Sequence, residues 1–452
     1  MRQQNPRTLG FTRDGRGGIV RFCKVLLCVL FTALACDQAA PPDLITTQFL
    51  EVAIQGGLHL ESLEGPSGLI PDRLDEGSSS PSLGAGSAGR AIYLGELYSA
   101  TSDARFLELA TRQMSAALVG DSSVAGDYSL YGGLGGIAFA AAEVGRLASD
   151  MDLVEAADRR LASIVAASPS RGGAGWGGVN DVIGGLAGTG LVLLHGYSRR
   201  GDASLLDAAI EIGDTLLARA DSLPDSRLRW ERGVETPVDL PNFSHGTAGV
   251  GLFMSRLGAT AALPRFSEAA SSATRYLISV ADERDGLFLV PYGVPNEGYV
   301  TRFDIGWAHG PAGSGRIHYA DWIANRSESG ERLLDRAART IVASGVPGAT
   351  SDSTLWSGPF QIDRRFGMAG VVPFLIDVSR ELGDGSYALA AGEIAEYILG
   401  RATAGADGAF WTVPLYGFQG DDGTAVFTSY FYGTAGMGLA MLEAHYMMSG
   451  GQ

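Results

Sequence analysis

One short signal recurs seven times along the chain: a glycine, any residue, an alanine or glycine, then a glycine. It reads Gly86-Ser-Ala-Gly89, Gly133-Leu-Gly-Gly136, Gly185-Leu-Ala-Gly188 and Gly246-Thr-Ala-Gly249, then Gly310-Pro-Ala-Gly313, Gly367-Met-Ala-Gly370 and Gly433-Thr-Ala-Gly436. The last glycines of successive copies are 47, 52, 61, 64, 57 and 66 residues apart. Self-similarity at such spacing marks a repeat architecture in which each copy is one supersecondary unit. Glycine makes up 64 of 452 residues, about twice the usual ~7%. With 46% hydrophobic residues the chain can bury a large core, so disorder does not account for the glycines. They belong where backbones come close together.

Each copy leads into a helical pattern. Gly188 to Ser198 has the apolar density of a buried helix. After a turn at Arg200-Gly201-Asp202, the stretch Ala203–Leu217 places Leu205, Leu206, Ala209, Ile210, Leu216 and Leu217 on one face. The same pair follows the first copy (Ile92–Tyr98, then Phe106–Leu118) and the fourth (Leu252–Leu257, then Phe266–Val280). Strand-like alternation is confined to short stretches such as Leu287–Pro291. Seven buried helices paired with seven amphipathic ones predict an all-α closed ring, with inner helices around an axis and outer helices around them. The small residues then sit at inner-helix N-termini, where crowding demands them and where glycine costs less than in a helix interior. Helix starts facing one cavity would also present free N–H groups and positive dipole ends, which favour an anion.

All three cysteines, Cys23, Cys28 and Cys36, lie in the first 36 residues. The repeat region therefore has no thiol for a disulfide, a cysteine–zinc site or a cysteine nucleophile. Arg13, Arg16, Arg21 and Lys24 precede the ten-residue apolar run Val25–Leu34, which is too short to span a bilayer. A basic region, an apolar run and then small residues read as a secretory signal. Ala33-Leu34-Ala35-Cys36 resembles a bacterial lipobox. That resemblance implies cleavage before Cys36 and lipidation of its sulfur, with a plain signal peptide or an uncleaved anchor as the alternatives. The expected organisation is a signal at 1–35, a tether and first helix at 36–80 and the repeat domain at 81–450, in a protein exported to the bacterial cell envelope and lipid-anchored to a membrane. The formal charge of −16 and pI near 4.8 argue against a nucleic-acid partner, which needs a basic patch.

Over nearly the whole chain, from about Leu44 to Met448, the sequence resembles the lanthionine synthetase C-like proteins. Three contexts carry this beyond the repeats: Phe243-Ser-His-Gly-Thr-Ala-Gly249, Asp181-Val-Ile-Gly-Gly-Leu-Ala-Gly188 and Gly306-Trp-Ala-His-Gly-Pro-Ala-Gly313. The resemblance implies an α/α toroid of seven inner and seven outer helices. It also implies a thioether cyclase, which adds a peptide cysteine thiol across a dehydrated residue with a zinc ion held by two cysteines and a histidine. The matching positions here are Ala308, Arg365 and Phe366. Alanine and phenylalanine cannot ligate a metal and arginine stays cationic, so no metal is expected and the family zinc site reads as lost. A site built from His245, His309 and Asp181 remains chemically possible.

What the resemblance leaves is acid–base chemistry. His245 matches the histidine proposed to handle the proton of the enolate, and Asp181 matches the aspartate beside it. His309 stands at the equivalent place in the fifth copy. Arg302 lies near a family arginine, at a different offset. Trp307, Arg365 and Tyr432 are candidate substrate contacts, while His195 and His318 lie inside predicted helices as core residues. The ligand expected in the central cavity is a peptide or small molecule. The competing readings are a carbohydrate-active or other small-molecule enzyme using Asp181, Asp304, Asp363 or Asp421-Asp422, and a non-catalytic envelope module using Arg364-Arg365 for an anionic or peptide ligand. Cys36→Ala is expected to release the protein from membranes; a membrane fraction unchanged by that substitution would rule out lipidation.

Overall fold

The structure is a computed structural model and describes residues 44–233, 239–295, 302–348, 355–356, 360–415 and 423–450. Cys36, the segment before it and Asp421-Asp422 lie outside the described residues.

Fourteen α-helices appear among the described residues. The inner set is α2 (Ser87–Thr101), α4 (Leu134–Ala148), α6 (Leu186–Arg200), α8 (Thr247–Ala261), α10 (Pro311–Asn325), α12 (Val372–Leu382) and α14 (Thr434–Met448). Each starts at, or within a turn of, one glycine signal. In the sixth copy Met368–Gly370 forms a 3₁₀ turn before α12. The outer set is α1 (Leu44–Ser62), α3 (Ala104–Gly120), α5 (Met151–Ala166), α7 (Ala203–Ala218), α9 (Pro264–Val280), α11 (Glu328–Ala343) and α13 (Gly385–Leu399).

Local chemistry explains the tight hairpins. Most inner helices end on a left-handed residue, such as Ser102, Ser149, Gly201 or Gly383. An aspartate follows at once: Asp103, Asp150, Asp202 and Asp384 each accept a hydrogen bond from an amide of the next helix's first turn, which offsets unsatisfied donors there. After three outer helices an indole N–H donates to a carbonyl near the helix end: Trp176 to Ile164, Trp230 to Leu216 and Trp411 to Ile398. Three two-stranded ribbons sit in the connections: β1 (Asp221–Leu223) with β2 (Arg227–Arg229), β3 (Thr403–Gly405) with β4 (Gly408–Phe410), and β5 (Thr412–Pro414) with β6 (Thr424–Val426). Leu287–Pro291 forms no strand; only Leu289 bridges to Asp282.

The ring closes through the repeats themselves. At the last glycine of every copy, a Cβ would collide with the carbonyl six residues earlier, from Leu83 opposite Gly89 to Tyr430 opposite Gly436. It would also meet the preceding copy: Leu83 Cβ at 2.7 Å from Gly136, Leu130 Cβ at 3.0 Å from Gly188, Phe243 Cβ at 2.8 Å from Gly313 and Trp307 Cβ at 3.1 Å from Gly370. Gly89 of the first copy faces Tyr430 Cβ of the seventh at 2.7 Å. Backbone amides run the same circuit. Gly84 donates to Tyr131, Tyr131 to Ile183, Ser244 to Ala308, Ala308 to Arg365, Arg365 to Phe431 and Phe431 to Gly84. Among the described residues no outer helix follows the seventh inner helix. Helix α1 takes that place, packing on α14 with Gly56 against Tyr93 and Trp411. This helix lies in the stretch 36–80 that the sequence assigned to tether and first helix.

Inside the ring, the residue seven beyond each last glycine forms a mostly polar belt: Glu96, Glu143, His195, Arg256, Ala320, Asp377 and Glu443. His195 Nε2 lies 3.1 Å from Glu143 Oε1, and Arg364 pairs with Glu443 at 2.7 and 3.1 Å. His318 is also in the core, edge-on to Phe288, and burial lowers it to about 4. Burial, then Glu143 and Glu443, raises Glu96 to about 8, against the pull of Arg146.

Two predictions follow from this packing. Gly249→Ala should destabilise the protein by about 3 kcal/mol, the upper range for overpacking, while Gly392→Ala, in open space on α13, should stabilise it by about 0.5–1 kcal/mol. Equal effects in denaturant titration would remove the crowding role. For Glu96 the folded chain holds a proton that the unfolded chain gives up near 4.5, so stability falls as pH rises from about 4.5 to about 8. The Tm gain of Glu96→Gln over the parent should therefore be small at pH 5 and larger at pH 8; a gain independent of pH would contradict the raised carboxyl.

Candidate functional site

The mouth of the ring is built from the turns just before the inner helices. In four copies the residue seven before the last glycine is a short polar side chain that folds the turn. Asp181 Oδ1 accepts from Gly184 N at 2.7 Å, Asp363 Oδ1 from Phe366 N at 2.8 Å, Ser82 Oγ from Ala85 N and Ser429 Oγ from Tyr432 N, both at 3.3 Å. Such side-chain turns are a local alternative to regular hydrogen bonding. The residues two and three positions on line the mouth: Ser244-His245, Ala308-His309, Arg365-Phe366 and Phe431-Tyr432. In the fourth and fifth copies the turn position is instead Asn242, which donates to the carbonyls of Pro291 and Tyr292, and Gly306.

Asp181 uses its other oxygen for chemistry. Fully buried, its Oδ2 lies 2.7 Å from His245 Nδ1 and accepts from Arg232 Nε at 3.2 Å. On the far side of the ring, Arg365 Nη2 lies 3.3 Å from His245 Nε2. A guanidinium can only donate, so Nε2 is the acceptor and the imidazole proton is on Nδ1, donated to Asp181. His245 is thus oriented with Nδ1 on Asp181 and Nε2 facing the mouth, capped by a cation. Arg365 Nη1 donates to Tyr432 Oη, and the guanidinium lies over the rings of Phe366, Phe431 and Tyr432 at 4.8, 5.3 and 5.9 Å.

His309 stands beside this chain. Its ring is 5.9 Å from that of His245, 4.4 Å from Tyr292 and stacked on Phe366 at 5.8 Å. Burial, then His245, then Arg365 holds its pKa well below the usual imidazole value, so it is neutral. Its Nδ1 is buried without a hydrogen-bond partner, as are Ser244 Oγ, Asp363 Oδ2 and Arg365 Nε. Burial raises Asp304 and Asp363 to about 6. Each spends an oxygen on two turn amides: Ile305 and Gly306, or Arg365 and Phe366.

The structure brings His245, Asp181, His309, Arg365 and Tyr432 together. Trp307 is in the floor beneath them, edge-on to Tyr131 and Phe243 at 5.3 and 5.2 Å and tilted on Phe431 at 5.5 Å. That is a packing position more than a contact surface. Arg302 is exposed, and no hydrogen bond, ion pair or ring contact joins it to the cluster among the described residues. Arg232 and Tyr292 join the site without any sequence signal; both come from connections between helices.

The positions that the resemblance matches to zinc ligands hold the buried methyl of Ala308, the phenyl ring of Phe366 and the guanidinium of Arg365. This set does not fit a zinc ion. Nor do His245, His309 and Asp181 form a substitute, since Asp181 and Arg365 already occupy both nitrogens of His245. No group of three or more histidine, cysteine or acidic side chains suited to a metal occurs among the described residues.

Known structures share the ring. The nisin cyclase superposes with a TM-score of 0.58 at 16% identity, over 81% of this chain and 88% of the other. An α-1,6-mannanase from Salegentibacter superposes with 0.50 at 13% identity, over 88% and 99%. These likenesses show the α/α-toroid fold. No curated protein matches the chain in sequence. The model of the lanthionine synthetase C-like proteins matches residues 77–449, which contain all seven glycine copies and the whole mouth, and the chain belongs to that family.

Proposed function

We propose that this protein is a peptide-modifying toroid of the thioether-cyclase type that works without zinc, with His245 and Asp181 as its acid–base pair. The observation that carries this reading is the 2.7 Å contact between the buried Asp181 and His245 Nδ1, which leaves Nε2 as the nitrogen of His245 that can face a ligand. A carboxylate so placed fixes the tautomer and stabilises the imidazolium when it forms. The chemistry balances on one residue. Nε2 takes the proton of a substrate thiol, the sulfur attacks the β-carbon of a dehydrated residue and the double bond becomes an enolate. The imidazolium then returns the proton to the α-carbon. The ligand is a peptide or small molecule, and the protein acts at the cell envelope on a lipid anchor at Cys36.

The guanidinium that caps Nε2 at rest favours a second reading, a non-catalytic envelope module. Mannanase-like chemistry gains no support from the mouth, where Asp304 and Asp363 are bound up in turns. One experiment separates the readings. Purified protein should carry far less than one zinc per chain, should accelerate thioether formation in a dehydrated, cysteine-bearing peptide and should be indifferent to a chelator. His245→Ala should slow turnover by about 10²-fold or more. Stoichiometric zinc needed for activity would sink the zinc-free mechanism, and no acceleration over buffer would leave the binding module.

A further inference from the structure

Two adjacent arginines of the sixth copy have opposite electrostatic fates. Arg364 is 4% exposed and held in a two-pronged ion pair by Glu443. Arg365 opens to the mouth, and its side-chain contacts are all to neutral groups: the Tyr432 hydroxyl, His245 Nε2 and three aromatic faces. Its Nε is buried with no partner. Among the described residues no carboxylate bonds to it directly, and Asp363 acts on it only electrostatically, across the turn. Asp181 is taken by His245, Arg232 and the Gly184 amide. Asp363 gives one oxygen to the backbone amides of Arg365 and Phe366, and its other oxygen has no hydrogen-bond partner. A partly buried cation without an anion is incomplete, because its charge is desolvated and its planar fork of donors is not matched.

We propose that the mouth takes its ligand through a carboxylate, which docks on Arg365 and thereby frees His245. A carboxylate matches the guanidinium fork with two parallel hydrogen bonds, each stronger than a bond to a neutral acceptor. The Nη2–H now given to His245 Nε2 turns to the carboxylate, and the nitrogen lone pair opens to the substrate. Anchoring and activation are then one event. A monoanion suits the site better than phosphate dianion, because Asp181 and Asp363 stand close by. Phe366, Phe431, Tyr432 and Tyr292 supply flat apolar walls, so the ligand carries an apolar or planar body next to its carboxylate, as a peptide C-terminus or an acidic side chain beside an aromatic residue does. His309, neutral and with Nδ1 unpartnered, offers one further hydrogen bond. This inference rests on the mouth being the working site of the protein.

The test is binding, read without turnover. Intact protein is titrated calorimetrically with benzoate and N-acetylphenylalanine, with the matching neutral amides and with inorganic phosphate. In parallel, the imidazole ¹⁵N signals of His245 are followed by NMR. Both carboxylates should bind at least tenfold more tightly than their amides and than phosphate. The His245 Nε2 signal should shift towards that of a free acceptor nitrogen on binding. Arg365→Gln should abolish the preference for carboxylate over amide, with Arg365→Lys keeping part of it. Tyr432→Phe, which removes one hold on the guanidinium but keeps the ring, is the second variant should Arg365→Gln fail to fold; it should narrow the preference several-fold. Amides binding as well as acids, phosphate binding as well as carboxylate, or a preference unchanged in the variant that folds would each overturn the proposal. Carboxylate selectivity without turnover would sink only the catalytic reading, and turnover without carboxylate selectivity only this one.

Discussion

The structure depends on a contact that only a residue without a side chain can make. Each inner helix begins with its last signal glycine pressed onto a carbonyl six residues back and onto a side-chain carbon of the preceding copy. The circuit of amide-to-carbonyl bonds passes through the same turns and returns from Phe431 to Gly84. A toroid has no central sheet and no single core. It needs every junction to have nearly the same tilt, and the glycine contacts set that tilt seven times. Closure then needs one more outer helix, and the chain supplies it from the other end, so that α1 covers α14 and the first and last helices are tied together.

This scaffold separates shape from chemistry. The turn residue and the glycines fix the backbone, and the two side chains between them are free to vary without disturbing it. That is how the same place in the turn can carry Ser244, Ala308, Arg365 or Phe431, and the next one His245, His309, Phe366 or Tyr432. Ala308 and Arg365 still join each other through the backbone, Ala308 N to Arg365 O at 2.8 Å, although neither side chain can hold a metal. Asp181 shows the two roles meeting in one side chain. One oxygen folds the turn, as Asp363 does in the sixth copy, and the second orients His245.

The legible part of the sequence was the part that repeats. Seven glycine signals with helix-period patterns after them contain the ring, its inner and outer layers and the hairpins with aspartate caps. Helix α1 precedes the first signal and so belongs to no visible copy; only packing shows that it is the seventh outer helix. In the site, His245, Asp181 and His309 were legible because they stand at fixed offsets from the glycines in contexts shared with a family. Arg365 was visible as a departure from that pattern, but its hold on His245 crosses two copies and 120 residues and has no local sign. Arg232 and Tyr292 lie in connections of irregular length, where no period exists to be read. Arg302 illustrates the converse: nearness to a signal in sequence gave it a candidate role, yet a different offset points a side chain elsewhere, and here it is exposed.

The contrast between Arg364 and Arg365 follows from the same geometry. One step along the turn separates a side chain that points down into the ring from one that points up into the mouth. The downward position meets the belt of ionisable side chains on the inner helices, where Glu443 pairs with the cation and burial, then neighbouring acids, raises Glu96 to about 8. The upward position meets imidazole, phenol and phenyl groups, none of which carries a full charge to offset a guanidinium. A cation is therefore directly paired on one side of the turn and left without a bonded counter-ion on the other, where Asp363 acts only across the turn. Burying a charge costs free energy that only a counter-charge or good hydrogen bonds recover. In the interior that recovery is built into the fold. At the mouth the neutral contacts recover it only in part, and an anionic ligand is the natural source of the remainder.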